Sequence, residues 1–353
     1  MITRRSWKPG LLNLGALAVL LFAIRAPAAQ PGPADVAEFY RGKTIRFITG
    51  YSAGGSFDNM TRLLARHVAR YIPGNPIIWV ENMTGAGGLV ATNYVYNKAR
   101  GDSAVVLNFD GGLVRFQALG QPGVQFDARR FNWLPSPAPD LQACWVTKAS
   151  GWTSLAQAIG SSKELKLGGL APGTFPSDNA RILQAALGLN IRLVDGYKGG
   201  ADIRLAAASG EVDGACMSWE GTKMAYSTDL KNGDIRLIGQ VAEKPWPGIE
   251  QVPNAVEMTK TERGKRLLRV GIIAATEINR LFAMPPDVPM ERVGAVQRAF
   301  ATALQDPAFN AQVEKSKLVS VPMSAERIKE GVELWLRMSE TEKDEFRQIL
   351  KFK

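Results

Sequence analysis

Residues 44–71 read TIRFITGYSAGGSFDNMTRLLARHVARY, and this stretch decides the fold. An apolar strand pattern at 45–48 leads into a turn of glycine and serine at 50–56. An amphipathic helical pattern follows, with Asp58 near its start. Because the first N–H groups of a helix have no partner within it, such a turn exposes amide donors and suits an anion. The stretch therefore predicts a strand–helix unit with an anion-binding turn.

The same order of strand, glycine loop and helix recurs along the chain. A strand pattern at 77–80 precedes the loop at 85–88, and another at 104–108 precedes Gly112. Such units predict a parallel sheet flanked by helices, whose loops meet at the carboxyl edge of the strands. After a proline-rich stretch at 132–139, a second series of units begins. We expect residues 262–274 to form a helix followed by a strand.

A short internal echo links the two series. Asp58 and Asn59 follow the first glycine loop, as Asp178 and Asn179 follow a later loop that contains Gly173. Matches this short also arise by chance. They nevertheless predict two similar helix N-termini, which could hold one ligand from opposite sides.

The first residues predict a secretory leader. Arg4, Arg5 and Lys8 precede an apolar run at 11–24, and Ala26-Pro27-Ala28 is a small-residue cleavage pattern. We expect cleavage after Ala28 by ordinary secretion. An uncleaved anchor is the alternative, and the arginine pair also hints at a twin-arginine signal.

Composition narrows the classes of function. The chain has 353 residues, 46% of them hydrophobic, which suits two globular domains. The formal charge of +10 falls to +6, because the leader's four basic residues leave with it. The remaining lysines and arginines are scattered, so no nucleic-acid partner is expected. A mildly basic exported protein suits an anionic ligand or a membrane-facing partner.

The cysteines and the histidine restrict the chemistry further. Cys144 and Cys216 favour one disulfide in an oxidising compartment, with two buried thiols as the alternative. They form no metal motif. His67 is the only histidine and lies beside the apolar face of its helix, which favours a structural role. Triads and most general-base sites need a histidine near a nucleophile, so most hydrolases are disfavoured.

The glycine loops fit no cofactor motif. The loop at 50–56 lacks the lysine of a phosphate-binding loop, and the loop at 85–88 lacks the third glycine of a dinucleotide site. No cofactor and no metal are expected. Asp58 and Asp178 fit either the first turn of a helix or a ligand contact. Trp219 and Glu220 follow a predicted strand, where either packing or ligand contact is possible.

Several of these segments together resemble a known family. They are GKTIRFITGYSAGGSFDNMTRLLARH, PGNPIIWVENMTGAGGLVATNYVYN, APGTFPSDNA and VDGYKGGADIRLAAASGEVDGAC. Between about residues 35 and 325, the chain resembles the solute receptors of the tripartite tricarboxylate transporter family, the Bug-type periplasmic binding proteins. The first two segments are the most specific.

This resemblance implies an α/β fold of two lobes, each a mostly parallel sheet flanked by helices, joined by two crossing strands. With 1–28 as the signal peptide, lobe 1 would comprise 35–142 and 275–353, and lobe 2 would comprise 143–274. The lobes would close on a small organic carboxylate in the periplasm and deliver it to integral-membrane permease subunits. A monomeric protein without enzymatic activity is implied.

The resemblance also implies ligand-binding positions. Backbone amides and nearby groups of both lobes would hold the carboxylate, at Ser52, Ala53, Gly54, Gly55, Ser56, Gly85, Ala86, Gly87, Gly88, Gly173, Thr174 and Asp178. The sequence pattern adds further candidates in or next to such loops: Phe57, Asp58, Gly112, Phe175, Tyr197, Trp219 and Glu220.

Phe57 and Phe175 stand where many members of the family differ. Their rings could stack on a planar or aromatic acid, which argues against a citrate-like ligand, or they could simply pack. Two other functions remain open. One is a secreted enzyme with Asp58 or Glu220 as a base, and the other is a scaffold or sensor partner that binds no solute.

Overall fold

The computed structural model describes residues 1–3, 33–137, 140–197, 199–316 and 318–351. Met1–Gln30 form one unit and Pro31–Lys353 form another. The expected leader lies outside the described residues, except for residues 1–3. Within the described part of the chain, no helix is both long and apolar enough to cross a membrane.

The described residues of the second unit form ten strands. They are β1 (Thr44–Thr49), β2 (Ile77–Asn82), β3 (Val105–Phe109), β4 (Asn132–Leu134), β5 (Gln142–Thr147), β6 (Leu165–Gly168), β7 (Ile191–Val194), β8 (Gly214–Ser218), β9 (Ile235–Val241) and β10 (Leu281–Met284).

Helices connect and cover these strands. They are α1 (Pro33–Tyr40), α2 (Ser56–Val68), α3 (Leu89–Lys98), α4 (Gly112–Ala118), α5 (Phe175–Leu187), α6 (Gly200–Ala208), α7 (Trp219–Ala225), α8 (Ser227–Asn232), α9 (Ala255–Met258), α10 (Glu262–Leu268), α11 (Ala275–Glu277), α12 (Met290–Gln305), α13 (Pro307–Lys315), α14 (Ala325–Leu336) and α15 (Glu340–Leu350).

The strands form two five-stranded sheets, ordered β2-β1-β3-β10-β4 and β7-β6-β8-β5-β9. In the first sheet, β1 pairs in parallel with β2 and β3, while β10 runs antiparallel to β3 and β4. In the second, β6 pairs in parallel with β7 and β8, while β5 runs antiparallel to β8 and β9. The predicted α/β class with two sheets is confirmed.

Each sheet is mixed, but four of its five strands run in the same direction, in agreement with the predicted mostly parallel sheets. The strand–helix units supply only the parallel part of each sheet. Strands β5 and β10 follow the passages of the chain from one sheet to the other, and each runs antiparallel to both strands with which it pairs. The repeated units identify the parallel strands, but long-range pairing fixes the direction of the others.

The pattern of β1 shows how the first sheet is covered on both faces. Ile45 and Phe47 pack in one buried cluster together with residues of α2 and α12. Ile48 packs in another cluster, with residues of α3 and α4. Because successive side chains of a strand point to opposite faces, helices are needed on both sides of the sheet. The loops at its edge remain free to form a site.

Residues 262–274 depart from the expected helix and strand. Thr261 caps α10, and Arg269–Ala274 continue it as a π-helical segment that leads directly into α11. Ile272 and Ile273 are buried there. A short apolar run fits a buried helix as well as a buried strand, so its periodicity does not distinguish the two.

The two cysteines and the histidine are buried in the folded chain. Cys144 and Cys216 lie directly opposite each other on β5 and β8 and form the disulfide that their number favours. His67 is buried, with its Nδ1 3.6 Å from a carboxylate oxygen of Asp306 and its ring against Phe309.

Candidate functional site

A cavity of about 600 Å³ lies between loops of the two sheets. The first sheet contributes the loops after β1, β2 and β3, and the second contributes the loop after β6 and the end of β8. The passages between the sheets add Asp140 and Asn279 to its wall, and the start of β5 adds Gln142. The strand ends thus meet where the repeated units predict a ligand site.

Two glycine loops of the first sheet are in close contact. A Cβ atom added at Gly50 would lie 2.4 Å from the Cα of Gly88, which leaves no room for a side chain. Gly88 itself has φ of 91°, a conformation that favours glycine. The glycines therefore let the loops after β1 and β2 form one continuous wall.

This wall presents free backbone donors. Among the described residues, the amides of Ser52, Ala86 and Gly87 donate to no acceptor, and all three residues line the cavity. Amide groups of this kind bind carboxylates without a neighbouring charged side chain. Within the described part of the chain, the cavity wall contains no lysine or arginine. Anion recognition would thus depend on the loops.

Asp58 holds the first of these loops in shape. Its Oδ2 accepts a hydrogen bond of 2.9 Å from the amide of Gly54, and its carboxylate also accepts bonds from Arg62 and Asn82. Burial raises the pKa of Asp58, but these three donors more than offset that effect and lower the pKa overall. Asp58 is buried behind the loop and does not line the cavity.

Asp178 holds the corresponding loop of the second sheet in shape. Its Oδ1 accepts a bond of 2.9 Å from the amide of Gly173, and its Oδ2 accepts one of 2.5 Å from Arg115. Both charged side chains are fully buried, and burial raises the pKa of Asp178 despite the guanidinium. The sequence echo therefore marks a shared structural device, in which a helical carboxylate fixes the loop before it.

Aromatic rings form much of the apolar wall. The rings of Tyr51 and Phe57 stack with their centroids 4.2 Å apart. The Phe116 ring covers the second-sheet loop so closely that a Cβ atom added at Gly173 would lie 2.1 Å from it. Phe175 lines the cavity from the start of α5.

A buried guanidinium lies close to one ring on each side of the cavity. Arg280 is 5.7 Å from the ring centroid of Phe57, and Arg115 is 5.8 Å from that of Phe175. Cation–π contacts at such distances are favourable when the cation is desolvated. The positive charges thus lie behind the aromatic walls and not on the cavity surface.

Asp110 and Tyr51 form a hydrogen-bonded chain at the cavity. The Tyr51 hydroxyl contacts both an oxygen of Asp110 and the carbonyl of Gly87, and the latter distance is 3.2 Å. The other Asp110 oxygen accepts a bond of 2.7 Å from the amide of Gly112. Burial raises the pKa of Asp110, although its donors act in the opposite direction. A protonated Asp110 would satisfy both contacts of the tyrosine.

Arg280 lies between two buried carboxylates. Its Nη2 donates to Asp140 at 3.0 Å, and its Nη1 contacts Glu220. Burial raises the pKa of Glu220, with Asp140 adding to that effect and Arg280 opposing it. Glu220 therefore has a guanidinium partner behind the wall, while Asp140 lines the cavity itself.

The structure brings ten of the predicted ligand-binding residues to the cavity wall. They are Ser52, Phe57, Gly85, Ala86, Gly87, Gly112, Gly173, Thr174, Phe175 and Tyr197. Others lie in or behind the same loops and outside the wall: Ala53, Gly54, Gly55, Asp58, Gly88, Asp178, Trp219 and Glu220. Ser56 begins α2.

Sequence reasoning missed several residues of the wall. They include Tyr51, Asp110, Phe116, Asp140, Gln142, Met217, Ser218 and Asn279. Asp110 and Ser218 stand at or next to strand ends, a signal that could have identified them. Asp140, Gln142 and Asn279 come together only through the two passages between the sheets. In the part of the chain that the structure describes, no group of three possible metal ligands is present.

Two mixed sheets flanked by helices, with a glycine-lined cavity between their loops, define the fold class of the periplasmic binding proteins. Comparison with solved structures narrows this class. Rpa4515 from R. palustris, in its structure with adipate, matches with a TM-score of 0.68 and 19% identity over 88% of this chain and 97% of that one. BugD, a periplasmic binding protein, matches with a TM-score of 0.67 and 18% identity over 89% and 99% of the two chains.

The malate-bound MatC from Rhodopseudomonas palustris matches with a TM-score of 0.64 and 17% identity, over 87% of this chain and 99% of that one. In sequence, the chain is 23% identical to a UPF0065 protein of Cupriavidus necator over 317 residues, which are 85% of this chain and 86% of the relative. No family model matches the chain. The chain thus shares its fold with BugD, Rpa4515 and MatC, and the resemblance to the Bug-type binding proteins seen in the sequence is confirmed.

Proposed function

We propose that this protein is an exported solute receptor of the Bug type, which captures a small organic carboxylate for a membrane permease. The observation that carries the proposal is the pair of glycine loops after β1 and β2, whose amides at Ser52, Ala86 and Gly87 lack acceptors among the described residues and border the cavity. A carboxylate would satisfy these donors.

Capture would proceed by closure of two lobes, comprising 35–142 with 275–353 and 143–274. The cavity wall is built from both sheets, so a ligand between them contacts both only when they are close. A ligand shifts such an equilibrium by its additional contacts with the closed form. The buried pair of Arg115 and Asp178 joins α4 of the first proposed lobe to α5 of the second.

The cellular setting follows from the same proposal. After removal of residues 1–28, the protein would act as a monomer in the periplasm, and the closed lobes would present one surface to integral-membrane permease subunits of the tripartite tricarboxylate type. The structures with adipate and malate are those of proteins with the same fold. We propose that this chain binds and releases its ligand without chemical change.

A binding experiment tests this function. The chain without residues 1–28 would be titrated by calorimetry with a carboxylate panel that includes malate, adipate and benzoate. Native mass spectrometry would identify any acid that copurifies. We expect at least one carboxylate to bind with one-to-one stoichiometry. If no member raises the melting temperature or releases heat, the protein is not a carboxylate receptor of this kind.

Two glycine variants distinguish an effect on the binding site from an effect of backbone strain. Gly87 and Gly210 both have positive φ, and a Cβ atom at either would meet nothing within 4 Å, but only Gly87 lines the cavity. Gly87→Val should weaken carboxylate binding by about tenfold or more, because one obstructed donor alone costs about 1–3 kcal/mol. Gly210→Val should leave the affinity unchanged. Equal losses in both would contradict the assignment.

Catalysis is tested in the same samples. The bound acid would be recovered after long incubation and analysed by NMR. An unchanged ligand is expected. Conversion to product would instead support a secreted enzyme.

A further inference from the structure

The cavity wall has an uneven distribution of polar and apolar groups. Aromatic and aliphatic side chains predominate, among them Tyr51, Phe57, Leu113, Phe116, Leu170, Phe175 and Met217. Among the described residues, the amides of Ser52, Ala86 and Gly87 donate to no acceptor, and all three belong to the glycine loops. A small, fully polar acid would leave this apolar surface uncovered, whereas a ligand with a flat apolar body would bury it.

Asp140 and Gln142 provide a second polar position. The Oδ2 of Asp140 accepts bonds from Arg280 at 3.0 Å and Asn279 at 3.4 Å, while its buried Oδ1 has no partner among the described residues. The Oε1 of Gln142 accepts a bond of 2.8 Å from Asn179, while its Nε2 has no partner in that part of the chain. Two residues of the wall therefore hold one buried acceptor and one buried donor that have no partner among the described residues.

These two atoms match a neutral group that both donates and accepts. A hydroxyl would donate to Asp140 and accept from Gln142, and buried polar groups generally acquire such partners. A second carboxylate could accept from Gln142, but it would face the charge of Asp140. Arg280 contacts both Asp140 and Glu220, so its charge is shared between two carboxyl groups.

We infer that the ligand is an aromatic monocarboxylate with one hydroxyl or similar neutral group, and that Asp140 excludes a second carboxylate. This inference rests on the proposed function, since it places the single carboxylate at the glycine loops. It separates this chain from the neighbours whose structures contain malate and adipate, both dicarboxylates. Asp140 and Gln142 are then specificity-determining residues.

A matched panel tests the inference on the chain without its leader. By calorimetry, 3- and 4-hydroxybenzoate would be compared with isophthalate and terephthalate, which carry a carboxylate at the same ring positions. Benzoate and adipate complete the panel. We expect the better hydroxybenzoate to bind at least about tenfold tighter than either phthalate isomer, because like charges in a desolvated site repel strongly. It should also bind more tightly than benzoate and adipate.

Asp140→Asn should reduce the difference in affinity between hydroxybenzoate and phthalate by about tenfold, because it removes the opposing charge and keeps the size of the side chain. The control is Asp234→Asn, a change at an exposed position away from the wall, which should leave the gap as it is. If Asp140→Asn does not fold, the panel on the unmodified chain decides the matter.

The outcomes are distinct. A phthalate isomer or adipate that binds as tightly as the hydroxybenzoates overturns the inference but leaves the carboxylate receptor intact. An unchanged gap in folded Asp140→Asn removes Asp140 as the cause. If no member of the panel and neither malate nor any other carboxylate binds, the proposed function itself fails.

Discussion

Replacement of Arg115 by methionine should strongly destabilise the protein at neutral pH. Arg115 and Asp178 are fully buried and 2.5 Å apart, and Arg115 also donates to the carbonyl of Gly271 at 3.2 Å. Methionine fills similar space but leaves the Asp178 carboxylate with only the more distant guanidinium of Arg181, at 3.7 Å. Breaking a buried pair in this way costs about 3–5 kcal/mol.

The assay is urea unfolding of the chain without its leader, with the free energy extrapolated to zero urea. Arg204→Met is the matched control, because Arg204 forms a similar pair with Asp229 but is substantially exposed. An exposed pair contributes about 0–1 kcal/mol, so the control should lose far less. Adding Asp178→Asn to Arg115→Met should recover part of the loss, because no uncompensated charge then remains.

The loss of unfolding free energy in Arg115→Met should also depend on pH. Burial raises the pKa of Asp178 already in the presence of Arg115, and removal of the guanidinium should raise it further. The folded variant then binds a proton more tightly than the unfolded chain. Its stability should be greatest below the usual carboxyl range and should fall as pH rises towards the folded pKa, by about 1.4 kcal/mol per unit. Equal losses for Arg115→Met and Arg204→Met at every pH would refute this reasoning.

Two further predictions concern the disulfide and Asp110. The bond between Cys144 and Cys216 closes a loop of 72 residues in sequence separation, so the Cys144→Ala and Cys216→Ala double variant should lose about 2–4 kcal/mol in urea unfolding; an unchanged midpoint would contradict this. Because burial raises the pKa of Asp110, ionisation opposes folding, and stability should fall as pH rises from the usual carboxyl range to the folded pKa. Asp110→Asn should flatten this dependence above the usual carboxyl range, and an unaltered slope would assign it to another group.

Much of the fold follows from local patterns. The glycine turns after β1 and β2, the helices that follow them and the capping of α14 and α15 by Ser324 and Ser339 all depend on residues close in sequence. Such features are determined by backbone conformation and by the free donors of a helix end. The glycine loops of the candidate site can therefore be identified from the amino-acid sequence alone.

Other features depend on pairing across long distances in the sequence. The antiparallel entry of β5 and β10 makes both sheets mixed, and no local pattern marks it. In the sequence, Asp58 and Asp178 are open to two interpretations, because a carboxylate in a first turn serves a ligand or a loop equally well. Burial and the bonds to Gly54 and Gly173 place both behind their loops.

The sequence by itself determined the strand–loop–helix units, the positions of their glycines, and which face of each helix or strand is polar or apolar. These features depend on residues that are close together in the sequence. Only the tertiary structure decided which of these loops share a cavity. It also brought Asp140, Gln142 and Asn279 to one wall, and it placed Arg115 and Arg280 behind the aromatic rings. Charge compensation and burial depend on which distant side chains the folded chain brings together. Local sequence therefore does not encode them.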